Sequence, residues 1–238
     1  IICVHSYGVP RYMTTLRDLA DRNNLFLIED ATEALGNFQG GKHIGTTADV
    51  CTFSFFGNKT ITTGEGGAVG SSNPVIVAIA SRLKDQGLVQ HGGYEHDIVG
   101  YNYRMTNIQA AIGAAPLAEV QKILNPKRKI ADLYRCDLID FAQFQDCDTK
   151  QCSNWINTMK LDSIARTQAV HRALERNNIE TRPGFSPIDK IPMYKIEPML
   201  LRTQELIDRL LCLPSHPGLT EDQQTQIIDT IAGEFKSK

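Results

Sequence analysis

The chain has 238 residues, with 25 Lys and Arg against 27 Asp and Glu, and 42% of it is hydrophobic. That length fits one large domain, or one with a smaller lobe, and buries enough surface to need no disulfide or metal staple. A formal net charge of −2 excludes nucleic-acid binding through bulk positive charge, and no apolar run approaches the length of a membrane helix. The opening Ile1–Met13 stretch lacks the basic flank and long apolar core of a signal peptide. It begins without Met inside an apolar run, which reads as a piece of something longer. None of the six cysteines forms a CxxC pair, and the histidines are scattered, so no metal site is expected. Cys3, Cys51 and Cys212 sit in apolar runs as small hydrophobes, which suits a reducing cytoplasm.

In chain order, Ile1–Val4 predicts a short strand, closed by a Tyr-Gly-Val-Pro turn. Met13, Leu16, Leu19 and Ala20 give the helical spacing over Met13–Asp21, and Asn23-Asn24 stops it. Leu25–Ile28 reads as a buried parallel strand with Glu29-Asp30 at its C-terminal end. Val50–Phe56 predicts a second buried strand and Gly67–Gly70 the return of a hairpin; strand, helix and strand in this order imply a βαβ unit. Thr106 caps a helix running towards Ile123, which Pro116 should kink or break. Lys127–Asp140 continues as helix. The polar, turn-rich Asp146–Ser153 stretch marks a boundary, giving a large domain over 1–145 and a small α/β domain over 146–238. In the latter, Trp155–Leu161 and Ile179–Arg182 read as strands, with Ile164–Asn177, Leu201–Leu213 and Thr220–Phe235 as helices. A proline-containing loop runs through Pro198. His91 and His96 belong to a glycine-rich loop.

The densest chemical signal is Ser54–Gly67, which carries Lys59 among hydroxyls and glycines. A Walker loop fails there because Phe53 and Asn58 stand where glycines are required, and a dinucleotide fingerprint from Gly64 fails at Val69. What remains is a lysine just past a buried strand. Burial disfavours its ammonium form, and the neutral amine attacks carbonyls to give Schiff bases; the plain alternative is a surface lysine in a loop. Asp30 ends a strand where open parallel sheets place ligand-binding groups. There it can pair with the protonated nitrogen of a pyridine cofactor or simply cap a helix over Ala31–Leu35. Glu33, one helical turn on, can face the same ligand. Lys59, Asp30 and the Ser54 hydroxyl together outline a pyridoxal-phosphate site.

Three motifs, Ile28–Gly36, Ser54–Gly67 and Gly100–Gly113, resemble the sugar-nucleotide aminotransferases of the DegT/DnrJ type, which are fold-type I pyridoxal-phosphate enzymes. Tyr94–Asn102 is most similar to the GDP-perosamine synthase branch of that family, and the resemblance runs on through Ile179–Pro183 and Pro192–Tyr194. It implies an α/β fold with a mainly parallel sheet flanked by helices, plus a small C-terminal α/β lobe. By the same resemblance Lys59 is the catalytic Schiff-base lysine and proton shuttle. Asp30 holds the pyridinium proton, Glu33 lies at the ring hydroxyl, and Ser54 binds the cofactor phosphate. Asn102 reaches the phosphate in the neighbouring subunit's site, which implies a homodimer. Arg104 and Arg182 are candidates for substrate phosphates, although Arg104 could equally serve a structural ion pair.

The implied reaction moves an amino group from glutamate to a 4-keto-6-deoxy sugar nucleotide, with no nucleic-acid or membrane partner. The resemblance also implies a longer N-terminal part that carries phosphate-binding and ring-stacking residues. Asp189 stands where relatives often have a substrate-loop histidine, and Pro116 lies in a helix that relatives keep regular. Two other readings stay open. One is a dehydratase of the same family, which carries His at the lysine position. The other is a non-catalytic piece that binds a sugar nucleotide or a partner chain.

Overall fold

The computed structural model describes residues 1–90, 92–194 and 200–236, so His91 and the end of the loop read through Pro198 lie outside them. The chain divides into two compact units, Ile1–Leu124 with Gln151–Trp155, and Asn125–Lys150 with Ile156–Lys238. No helix among the described residues is long and apolar enough to cross a membrane.

The first unit runs β1 (Ile2–Val4), α1 (Met13–Arg22), β2 (Ile28–Asp30), a small hairpin of β3 (Phe38–Gln39) and β4 (Lys42–His43), β5 (Val50–Ser54), β6 (Gly67–Gly70), α2 (Pro74–Lys84) and α3 (Asn107–Ala118). Its sheet has the order β1-β2-β5-β6. The β1–β2 and β2–β5 pairs are parallel and β5–β6 is antiparallel, which is the βαβ arrangement with a hairpin return that the sequence predicts. Met13 and Ala20 of α1 pack with Leu27, Ala31, Ala34 and Ile44 in the core of this unit. The register sets Cys3, Glu29 and Cys51 in one row and Val4, Asp30 and Thr52 in the next.

Three expected elements change here. The strand read as Leu25–Ile28 is Ile28–Asp30 instead; Leu25 and Phe26 are about half exposed and precede the ladder. The strand read to Phe56 ends at Ser54. Ala31–Leu35 forms turns, not a helix, so Asp30 caps none and instead accepts the Thr32 N–H at 3.1 Å. Thr106 does cap α3, in a reciprocal capping box with Gln109. That helix ends at Ala118, just past Pro116.

The helix α4 (Val120–Asp137) follows, and Pro126 falls inside it where the two units divide. The second unit continues with β7 (Gln143–Phe144), β8 (Asn157–Lys160), α5 (Ile164–Arg176), β9 (Arg182–Pro183), α6 (Leu201–Ile207), β10 (Leu210–Leu213) and α7 (Glu221–Lys236). Its sheet is antiparallel throughout, in the order β7-β8-β10-β9. The helix read over Leu201–Leu213 is therefore a helix and then a central strand. Leu210-Leu211-Cys212-Leu213 is a continuous apolar run, and such a run buries as well in a strand as in a helix. The strand read over Ile179–Arg182 is Arg182–Pro183.

Packing also draws the unit boundary elsewhere than residue 145. Ile130, Tyr134 and Leu138 share one core with Met159, Leu174 and Ile231, so residues from Asn125 belong with the C-terminal strands. In the other direction Gln151–Trp155 returns to the first unit.

Lys127 is buried in the second unit, with its ammonium on the Ser215 carbonyl at 2.5 Å. Burial lowers its pKa from 10.5 to about 8. Between these values the unfolded chain holds a proton that the folded chain has released, so stability rises with pH across that window. Relative to Lys127→Met, the wild-type unfolding free energy should gain about 1–3 kcal/mol between pH about 8 and about 10.5, measured by denaturant titration at the two ends.

Candidate active site

The parallel strand β2 ends on Asp30, level with Thr52 of β5, which runs two residues further to Ser54, and the loop that follows β5 carries Lys59. This loop is laced across its base. The Phe55 N–H donates to the Gly66 carbonyl and the Thr63 N–H to the Phe55 carbonyl, both at 2.9 Å. Gln109 of the α3 capping box extends the lacing, since its side-chain N–H donates to the Glu65 carbonyl at 3.1 Å. The lysine thus stands on a loop fixed at both ends.

Within that frame the Lys59 ammonium lies 3.6 Å from the Glu33 carboxylate and 3.9 Å from the centroid of the Trp155 ring. The other Glu33 oxygen accepts the Tyr7 N–H at 2.6 Å. Burial pushes the Glu33 carboxyl above its ordinary range; the Tyr7 N–H and the Lys59 charge oppose this without cancelling it, and the Asp30 charge adds to it. A carboxyl that holds its proton more readily than usual, set beside an amine, is a pair suited to proton exchange. Glu33 reaches Lys59 from a turn, not from the helix that the i+3 spacing suggested.

The backbone that presents Tyr7 is strained and crowded. Tyr7 has φ of 61° and Gly8 of 79°, a region that only Gly enters without cost. A Cβ on Gly8 would stand 2.8 Å from both the Glu33 carbonyl and the Ser153 hydroxyl, and 3.1 Å from Trp155 Cβ. The buried Asn37 side chain clips these segments together, donating to the Gly8 carbonyl at 2.8 Å and accepting the Ser153 N–H. Upstream, His5 and Glu29 form a fully buried pair at 2.9 Å. The Arg11 N–H donates to His5 Nδ1, which leaves the ring proton on Nε2, facing the Glu29 carboxylate.

The remaining candidates lie in other surroundings. Tyr101 and Tyr103 hydrogen-bond through their main chain to Leu83 and Lys84 at the end of α2. Between them the exposed Asn102 bridges Asp85, and Arg104 pairs with Asp85 at 3.2 Å. Arg182 belongs to the second unit, where it pairs with Glu180 at 3.0 Å. Asp189 accepts the Leu200 N–H at 2.8 Å. No group of three His, Cys, Asp or Glu among the described residues could hold a metal. The sequence alone does not single out His5, Tyr7, Asn37 or Trp155. The visible hints are the turn chemistry around Tyr7-Gly8 and the fact that Trp155 is the one tryptophan in the chain.

The family model of the DegT/DnrJ/EryC1/StrS aminotransferases matches residues 1–232. The chain belongs to that family. It is 43% identical over 247 residues to the GDP-perosamine synthase of Vibrio cholerae, covering 99% of this chain and 66% of that protein. It is 42% identical over 244 residues to the GDP-perosamine synthase of Escherichia coli O157:H7, covering 100% of this chain and 65% of that one. The crystal structure of S. venezuelae DesV matches with a TM-score of 0.91 at 27% identity, over 100% of this chain and 65% of DesV. The chain thus spans about two thirds of the length of these relatives, and its fold is theirs.

The Asn37 clip is directly testable. Asn37→Leu leaves the Gly8 carbonyl and the Ser153 N–H without their partner, each at a cost of about 1–3 kcal/mol when buried. The expected loss of unfolding free energy is about 2–4 kcal/mol, read from the denaturation midpoint at unchanged slope.

Proposed function

We propose that this chain carries the lysine-bearing site of a pyridoxal-phosphate-dependent aminotransferase that passes an amino group from glutamate to a 4-keto-6-deoxy sugar nucleotide, in the manner of the GDP-perosamine synthases it resembles. The observation that carries the reading is the Lys59 amine, 3.6 Å from Glu33, on the loop after a strand whose parallel neighbour ends in Asp30. Bound pyridoxal phosphate supplies an aldehyde that captures amines and a protonated ring that draws off electrons.

The donor set suits that group. A pyridine nitrogen keeps its proton beside an anion, and Asp30 supplies the anion at the strand end. Lys59 offers the amine for the aldehyde carbon, Glu33 the group beside the ring hydroxyl, and Ser54 a hydroxyl for the phosphate. Lys59 Nζ would serve as general base and then general acid, holding the proton that moves between the two carbons. Glu33, whose carboxyl burial pushes above its ordinary range, lies beside that amine as a group that could exchange a proton with it. Asn102 serves the phosphate in the neighbouring subunit of a homodimer, and its exposed position supports that role. Arg104 and Arg182 take the phosphates of the sugar nucleotide. Six cysteines with no CxxC pair, four of them buried, suit a reducing cytoplasm.

Incubation with pyridoxal phosphate, borohydride reduction and peptide mapping should place the adduct on Lys59, and Lys59→Ala should abolish both the adduct and amination of the keto sugar. Asp30→Asn should keep the fold and lower turnover at least about ten-fold, in line with loss of a charge-assisted hydrogen bond of ~1.5–3 kcal/mol. An adduct on another lysine, with Lys59→Ala still transaminating, overturns the reading.

A further inference from the structure

Trp155 touches the lysine loop at two consecutive residues. Its indole N–H donates to the Asn58 carbonyl at 2.8 Å, and its ring face stands 3.9 Å from the Lys59 ammonium. The side chain is nearly buried, at 6% exposure, and Lys59 keeps 14%. A cation over the face of an indole is held by the quadrupole of the ring, and more firmly where water is scarce. The hydrogen bond to Asn58 fixes the ring to the backbone of the loop whose amine it covers. Ring and amine therefore keep their register.

The base of this contact is fixed too. Trp155 Cβ lies within 3.1 Å of where a Gly8 Cβ would stand. The adjoining Ser153 is held through its N–H by Asn37, and its hydroxyl donates to the Glu33 carbonyl at 3.3 Å. The same five-residue return, Gln151–Trp155, thus reaches the main chain of Glu33 and, through the indole, the amine of Lys59.

We infer that Trp155 is a positioning residue for Lys59, whose ring face screens the amine and holds it in one orientation towards Glu33. The inference deepens the reading of Lys59 as the reactive amine and adds a residue to its machinery. Its consequence is visible without cofactor, because an amine under an aromatic face reacts slowly with an acylating reagent.

The test is acetylation of the cofactor-free chain by N-acetoxysuccinimide, with Lys59 labelling followed by mass spectrometry. Trp155→Leu removes the ring face and the N–H, whereas Trp155→Phe keeps a face and loses only the N–H. Labelling of Lys59 should rise about 3- to 30-fold in Trp155→Leu and stay within about two-fold of wild type in Trp155→Phe. The buried thiols of Cys3 and Cys51 report folding of the same unit through their protection from iodoacetamide. If Trp155→Leu exposes them, Trp155→Met takes its place in the comparison. Wild-type labelling in the folded Leu or Met variant overturns the inference. So does Phe labelling as fast as Leu, which would put the weight on the Asn58 hydrogen bond. Borohydride trapping of pyridoxal phosphate on the wild type separates the two claims. An adduct away from Lys59 overturns the functional reading and leaves the labelling result to stand by itself.

Discussion

Asn37 is fully buried and spends its amide on two main-chain groups from distant parts of the chain, the Gly8 carbonyl and the Ser153 N–H. The site is organised around that amide. On one side it holds the left-handed Tyr7-Gly8 corner, which turns the Tyr7 N–H onto Glu33. On the other it holds the short return that ends in Trp155. Because the segments approach within van der Waals distance at Gly8, no side chain larger than hydrogen fits between them. A small shift in any one would be passed to the others, as expected of a close-packed interior.

The electrostatics follow from the same packing. Glu33 is pressed between two opposed demands, since burial favours its neutral form while Tyr7 and Lys59 favour its charge. A second acid, Glu29, lies one residue before Asp30 and points the other way in the strand alternation. Its partner is His5, and both are shut away from solvent. Burial and the Glu29 charge, in that order, push the thiols of its row neighbours Cys3 and Cys51 up. Consecutive residues of β2 thus serve two different ends. Glu29 ties the interior to the loop after β1, and Asp30 faces the strand ends where a ligand would be met.

Much of this was legible in the sequence where the determinants are local. The apolar spacing of α1, the Thr106 cap and the Gly67–Gly70 return depend on residues within a turn or a hairpin of one another, and they stand as read. The positions of Asp30 and Ser54 at strand ends, with Lys59 on the loop that follows, could be read because each depends on a short apolar run and the polar residues next to it. The apolar run Leu210–Leu213 was misread because four consecutive apolar residues carry no period; only its pairing with β8 and β9 makes it a strand. Trp155 was invisible as a site residue for a stronger reason. Its contacts to Asn58 and Lys59 span nearly a hundred positions, and no local pattern encodes them. The boundary drawn at residue 145 suffers likewise, because a polar stretch marks a surface turn but does not say which core the flanking residues join.

The return of Gln151–Trp155 also bears on the order of events during folding. Hydrogen bonds between Phe38 and Gln151, between Asn37 and Ser153, and between Asn58 and Trp155 close loops of 97 residues and more, and the chain between their ends includes all of α4 and the first strand of the second unit. Loop closure on that scale is paid for before the contacts repay it. As the polypeptide leaves the ribosome, the strands that end in Asp30 and Ser54 can pair early. The lysine acquires its aromatic cover only after residue 155 has emerged, so until then its amine stands without the indole face that later screens it.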